Sequence, residues 1–147
     1  MANTLFKEEG MMTNLPEIIF WKDEKQEIVN QELFSEVADK WADAIRKNGG
    51  KEKNKISQIR KFYDEVLMFN ERVKDEVQFQ KMLPYIKMLN AKVFYAIGRK
   101  HITEQFKDFI LKCINQIKNK KDFEVFVKFF EAFMGFYRYY DEKYKKS

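Results

Sequence analysis

Four side chains that recur at helical spacing could together bind a nucleic acid: Met88, Lys92, Tyr95 and Arg99. An apolar set at the same spacing runs beside them and predicts the side of the helix that packs into protein: Ile86, Leu89, Val93 and Ile97. A helix with these two sides can be anchored in a core while it presents cations next to an aromatic ring. This combination suits a phosphate backbone with bases near it.

Side chains for covalent or acid–base catalysis are scarce. His101 is the only histidine and Cys113 the only cysteine, and no nucleophile motif accompanies His101. The sequence has no glycine-rich phosphate loop and no metal-ligand spacing. Cys113 falls on an apolar helix face, so we expect it to be a small buried side chain. We therefore predict that the protein is not an enzyme and uses no cofactor or metal.

Charge is unevenly distributed along the 147 residues. Residues 1–50 carry 6 basic and 10 acidic side chains, whereas residues 51–147 carry 22 basic and 13 acidic ones. The positive excess favours a polyanionic partner, although solvated lysines alone would give the same balance. No apolar run approaches the roughly 20 residues of a membrane span, and the N-terminus lacks the order of a secretory signal. We predict a cytoplasmic location without a membrane partner.

The elements that must position these residues are helices. With 35% charged residues, 5 Gly and 2 Pro, and no long period-two alternation, the sequence predicts an all-α fold: a compact bundle of about five main helices with an N-terminal arm. We expect a single helical domain over residues 1–147, with the arm at 1–29 and the bundle at 30–147. The aromatic cluster of the arm, Phe20 and Trp21, could pack on its own domain or on a neighbour.

Helix-initiating residues mark the predicted starts of the five helices: Asn30, Ser57, Pro84, Thr103 and Asp122. We expect the first helix to end at Gly49–Gly50, the third close to Gly98, and the fifth near Tyr144. A short turn around 79–83 should lead into the third helix. The lysine-rich connection 49–55 has no core residues, so we expect it to be the most mobile one.

Ten aromatic residues lie between Phe123 and Tyr144. Most of them share one helical face, and burial of that face would stabilise the fold by about 1.5–3 kcal/mol per ring. Phe129, Phe136 and Tyr139 fall off that face. Either the helix is enclosed on several sides, or part of it contacts another chain.

The basic residues divide into two groups by their local surroundings. Arg60 and Lys61 can each pair with the carboxylate four residues later, at about 0.2–0.5 kcal/mol per pair. Lys87, Lys92 and Arg99 have no carboxylate at that position. Their charge lacks a local partner, which favours an external one.

Three segments in order carry a family resemblance: Ser57–Tyr63 (SQIRKFY), Leu83–His101, and Phe129–Tyr140 (FFEAFMGFYRYY). Together with Phe20–Asp23 (FWKD), they resemble the small subunit of the type III-A CRISPR (Csm) effector complex. The likeness covers most of the chain from about Phe20 to Tyr140.

The resemblance implies an all-helical protein without nuclease activity, several copies of which stack along guide RNA paired with target RNA. Its expected partners are guide RNA, target RNA, other copies of itself and the larger subunits of the Csm complex. Carried onto this sequence, the expected RNA-binding residues are Arg60, Lys61, Lys87, Lys92, Arg99 and Lys100. Arg138 is a further candidate. The alternatives are a protein–protein scaffold subunit without direct RNA contact and, less favoured, a small helical enzyme or a DNA-binding regulator.

Overall fold

The computed structural model describes residues 14–145. A π-helical turn, Leu33–Val37, leads into five α-helices: α1 (Ala38–Gly49), α2 (Ile56–Arg72), α3 (Glu76–Gly98), α4 (Glu104–Ile114) and α5 (Lys120–Lys145). Within these residues the only β-pairing is one isolated antiparallel bridge, Trp21 to Val29. The predicted all-α bundle is confirmed. No helix within residues 14–145 combines the length and apolarity needed to cross a bilayer.

Helix α5 forms the centre of the core. Six of its aromatic side chains are fully buried: Phe123, Phe126, Phe129, Phe130, Phe133 and Tyr137. The ring of Phe109 on α4 packs against three of them, most closely against Phe133, with 4.4 Å between ring centroids. Of the rings predicted to fall off the core face, Phe129 is buried, Phe136 is partly buried and Tyr139 is exposed. The prediction of a helix enclosed on several sides is therefore confirmed for most of its length.

The described part of the predicted arm folds back onto the helices. Phe20 is fully buried, and the indole nitrogen of Trp21 donates to Asp122 at the start of α5, at 2.8 Å. The side-chain amide of Gln116, which follows α4, donates to the carbonyl of Ile18 at 2.6 Å. The aromatic cluster thus packs on its own chain. Residues 1–13 of the arm and Lys146–Ser147 lie outside the described residues.

The predicted start of the third helix at Pro84 is wrong. Helix α3 begins two turns earlier, because the side chain of Asp75 accepts a hydrogen bond from the Gln78 N–H at 2.8 Å and caps it. Pro84 then lies inside the helix, where it removes one backbone donor on an exposed side. The segment predicted as a turn, 79–83, is helical and contributes the fully buried Phe79 to the core.

Other predicted caps differ in detail. Helix α2 begins after Lys55, so Ser57 lies inside it. Asn30 lies three residues before the π-helical turn and accepts from the Glu32 N–H with its side chain, at 3.2 Å. Asp122 lies within α5, whose start is stabilised by a reciprocal pair. The Asn119 side chain accepts from the Asp122 N–H at 2.8 Å, and the Asp122 carboxylate accepts from the Asn119 N–H at 3.3 Å.

Candidate nucleic-acid interface

Helix α3 has one buried side and one exposed side, as the sequence predicted. Ile86, Leu89 and Val93 are fully buried, whereas Met88 and Tyr95 are 51% and 66% exposed. The helix extends further than predicted, so the same face also includes three residues N-terminal to Met88. We define the α3 outer face as Val77, Lys81, Tyr85, Met88, Lys92, Tyr95 and Arg99, all of them exposed. Apolar and aromatic side chains alternate on it with three cations.

The expectation that Lys92 lacks a carboxylate partner is wrong. Its ammonium forms a short ion pair with Glu65 of α2. The two residues are 27 positions apart, and the pair forms because α2 and α3 pack side by side. The lysine side chain remains 46% exposed, so the contact costs little desolvation and contributes only about 0.2–1 kcal/mol. Lys92 is thus partly neutralised, but its ammonium remains accessible to solvent.

The local ion pairs that Arg60 and Lys61 could form with Asp64 and Glu65 are absent from the described residues. No ion pair within residues 14–145 includes either residue, and both side chains are exposed. Glu65, the expected partner of Lys61, binds Lys92 instead. Two cations that could have been paired on their own helix are thus without an ion pair in this part of the chain, and one that was expected to be uncompensated has one.

Arg99 makes no contact with a carboxylate within the described residues. One guanidinium nitrogen donates to the hydroxyl of Tyr95 at 3.0 Å, and the guanidinium carbon lies 5.8 Å from the centroid of the same ring. The aromatic ring therefore holds the cation against the α3 outer face without neutralising it. Both groups are exposed, so the pair could contact a phosphate and a base together.

The remaining predicted residues do not all lie together. Lys100 follows α3 in a left-handed conformation with φ of 63°, and it is exposed beside Arg99. Lys87 lies five residues from Lys92, about 140° around the helix, on the side of α3 that faces α4. Arg138 is exposed on α5 rather than buried. The structure thus places Arg99 and Lys100 together at one end of α3 and leaves Lys87 on another side of the helix.

A family model described as Csm2 Type III-A matches residues 29–143. The chain belongs to this family. It is therefore a small subunit of the type III-A Csm complex, as the resemblance implied. The matched region contains all six predicted RNA-binding residues. No curated protein and no solved structure matches this Csm2-family chain significantly.

The connection 49–55 of this Csm2-family chain, predicted to have no core residues, contains a buried residue with several hydrogen bonds. Asn54 in it is fully buried, with φ of 57°. Its side-chain amide donates to the Ile45 carbonyl at 2.9 Å and to the Thr103 hydroxyl at 2.8 Å, and its side-chain oxygen accepts from the Thr103 N–H at 2.9 Å. Its own N–H donates to the His101 carbonyl at 2.9 Å. This fixed loop lies directly beside the turn that carries Arg99 and Lys100.

Sequence reasoning missed three cations that this arrangement presents. Lys81 was excluded because the predicted helix began at Pro84, although it lies seven residues before Met88 and so shares its face. Lys51 and Lys55 were assigned to a mobile connection. Asn54 is the sequence signal that could have identified Lys51 and Lys55 as part of a defined turn, because asparagine tolerates positive φ and hydrogen-bonds to the backbone.

The prediction for Cys113 is confirmed, since its side chain is fully buried and burial raises the pKa of the thiol. Within residues 14–145, no group of three or more His, Cys, Asp or Glu side chains is arranged to hold a metal ion. His101 is partly buried, and its carbonyl accepts the hydrogen bond from Asn54. Its role in the described part of the chain is to join two loops.

Proposed function

We propose that this Csm2-family subunit binds RNA without catalysing its cleavage, through the outer edges of α2 and α3. Arg60, Lys61, Lys92, Arg99 and Lys100 contact phosphates, and Tyr95 packs against a base or ribose. Lys87 contributes from the other side of α3. The observation that carries the proposal is the pair of exposed cations Arg60 and Lys61, neither of which has an ion pair within the described residues, on the helix that packs beside α3.

The binding is electrostatic and independent of sequence. Each cation that neutralises a phosphate releases counterions, and no side chain is required to read a base edge. Sequence recognition then belongs to pairing between guide and target RNA, as in other RNA-guided systems. Several copies stacked along the guide–target duplex, beside the larger Csm subunits, would add their weak contacts into avidity.

Arg60→Ala/Lys61→Ala is the most direct test. Neither side chain has an ion pair in the described residues, so the double variant removes charge without freeing a carboxylate, unlike a change at Lys92. We expect wild-type protein to bind both single-stranded and guide-paired RNA, with affinity falling steeply as KCl rises. For single-stranded RNA, loss of two phosphate contacts should reduce the slope of log K against log [salt] by about 1.4.

The matched control is Lys22→Ala/Lys25→Ala, which removes the same charge from exposed positions in the N-terminal segment. Its salt slope should equal that of wild type. Equal slopes for wild type and the Arg60/Lys61 variant would refute the site. Absence of binding to either RNA at low salt would refute RNA binding by this subunit.

One observation favours a second candidate, a protein–protein scaffold without direct RNA contact. Val77 and Tyr85 on the α3 outer face are 64% and 56% exposed, and exposed apolar groups on one helix face suit a protein partner. This scaffold would require no RNA affinity, whereas Val77→Ser/Tyr85→Ser would weaken its association with the other Csm subunits. Loss of co-purifying subunits in that variant, with no RNA binding by the purified wild-type chain, would establish it.

A further inference from the structure

A cleft of about 620 Å³ opens at the end of the molecule where α1 ends, α2 begins and α5 finishes. Its walls come from the end of α1, the loop that follows, the start of α2 and the end of α5: Arg46, Lys47, Gly50, Lys51, Lys55, Ile56, Ser57, Asp141, Tyr144 and Lys145. This volume lies within the range of about 300–1,000 Å³ typical of small-molecule sites. The cleft is separate from the α3 outer face, and none of the predicted RNA-binding residues lines it.

The cleft is strongly basic, and its single lining carboxylate is already neutralised. Arg46, only 9% exposed, donates to the Asp141 carboxylate at 3.1 Å and to the Gly50 carbonyl at 2.8 Å. Lys51 and Lys55 also line the cleft, and no ion pair among residues 14–145 includes either of them. Glu52 lies in the same loop but does not line the cleft. An excess of positive charge therefore faces the cavity.

Backbone donors reinforce this charge. Helix α2 is 17 residues long and begins without a side-chain cap, because Lys55 makes no capping hydrogen bond. The first N–H groups of a helix have no intrahelical partner and carry partial positive charge. Ile56 and Ser57, the first two residues of α2, both line the cleft, and Ser57 adds a hydroxyl donor. Amides, a hydroxyl and ammonium groups together form a donor set suited to a phosphate group.

We propose that this cleft, which we call the loop cleft, binds a phosphodiester group of the RNA strand that crosses α2 and α3. The inference rests on the proposed function and extends its contact surface. The 2.9 Å hydrogen bond from the Asn54 N–H to the His101 carbonyl holds the lysine loop against the turn that carries Arg99 and Lys100. Ser57 lies one turn before Lys61 on the same side of α2. A strand leaving the α3 outer face would therefore meet the loop cleft next.

The test combines a charge variant with a local spectroscopic readout. Lys51→Ala/Lys55→Ala removes two exposed cations that make no ion pair, so the fold should be retained. We expect its salt slope on single-stranded RNA to fall by about 1.4 relative to wild type, while Lys22→Ala/Lys25→Ala keeps the wild-type slope. In ¹H–¹⁵N spectra of wild type, the amide signals of Gly50, Ile56 and Ser57 should shift when the RNA is added.

The outcomes separate this inference from the proposed function. In one outcome, wild type binds RNA and the Arg60/Lys61 variant has a smaller salt slope, but Lys51→Ala/Lys55→Ala keeps the wild-type slope and the loop-cleft amide signals do not shift. The inference is then wrong and the proposed function stands. If inorganic phosphate shifts these amides and RNA does not, the cleft binds a free anion, which also overturns the inference. Shifts with RNA together with a lower slope in the loop variant support it. Absence of any RNA binding would refute both.

Discussion

Replacement of Asn54 by alanine should be among the most destabilising polar substitutions in the described part of this protein. The residue joins three parts of the fold: its side chain bonds to the Ile45 carbonyl in α1 and to Thr103 at the start of α4, and its carbonyl accepts a hydrogen bond from the Tyr137 hydroxyl in α5. Asn54 also makes glycine necessary at position 49, because a Cβ there would lie 2.7 Å from the Asn54 Cβ. The site has no room for rearrangement.

The magnitude follows from these contacts. Asn54→Ala leaves the Thr103 N–H without its partner, at about 1–3 kcal/mol, and removes two further side-chain hydrogen bonds, to the Ile45 carbonyl and to the Thr103 hydroxyl, at about 0.5–1.5 kcal/mol each. Alanine also tolerates the positive φ less well than asparagine, at about 1 kcal/mol. We therefore expect the free energy of unfolding to fall by about 3–7 kcal/mol, a large fraction of the roughly 5–15 kcal/mol of a typical domain.

Urea denaturation followed by circular dichroism measures this loss. Asn48→Ala is the matched control, since Asn48 is exposed near the end of α1 and its replacement should change the free energy of unfolding by less than about 0.5 kcal/mol. A loss below about 1 kcal/mol in Asn54→Ala would show that the loop is not held by this side chain. It would also remove the reason to treat residues 50–55 as a fixed wall of the loop cleft.

Two further predictions concern the ion pair and the tyrosines. Glu65→Gln should free Lys92 and raise RNA affinity at low salt, while it changes the free energy of unfolding by less than about 1 kcal/mol; unchanged affinity in a salt titration would mean that Lys92 does not contact RNA. Burial raises the pKa of Tyr137, and burial together with a hydrogen bond to Asp43 raises the pKa of Tyr144 to about 12. Tyrosines in the unfolded chain ionise near pH 10, at a lower pH than these two tyrosines in the folded protein. The stability that their neutral hydroxyls contribute is therefore fully present below pH 10 and should be lost as the pH rises above it. Urea denaturation between about pH 8 and 11 checks this, and Tyr137→Phe should weaken the dependence; a flat profile would contradict the assignment.

The sequence was sufficient to predict the helices because their buried residues recur at a regular helical spacing. Leu89 and Val93 on α3, and Phe126 and Phe130 on α5, recur at helical spacing and are fully buried. Such a pattern depends only on which side of a helix is buried, and residues three or four positions apart in the sequence determine that side. The aromatic density of α5 left two alternatives open, enclosure on several sides or contact with another chain, and the burial of Phe129 favours enclosure for that part of the helix.

The helix starts were predicted less well because several residues could cap each one. Asp75 and Pro84 both mark a possible start for α3, and the burial of Phe79 together with the Asp75 cap favours the longer helix. At α5, Asp122 has the right type for a cap but is used at the third helical position, where it also accepts a hydrogen bond from the indole of Trp21 at 2.8 Å. A residue 101 positions away in sequence thus takes part in fixing this helix start, and no local pattern records it.

The ion pairs of the surface cations could not be predicted from the sequence, for one physical reason. Whether a surface cation is neutralised depends on the nearest carboxylate in space, whereas the sequence shows only those one turn away on the same helix. Glu65 could serve Lys61 on its own helix or Lys92 on the neighbouring one, and the packing of α2 against α3 selects Lys92. Arg60 and Lys61 of α2 therefore have no ion pair in the described part of the chain, whereas Lys92 in the middle of α3 is partly neutralised. In the proposal, the RNA strand would pass from this part of α2 to the loop cleft, since Ile56 and Ser57 at the N-terminus of the same helix line the cleft.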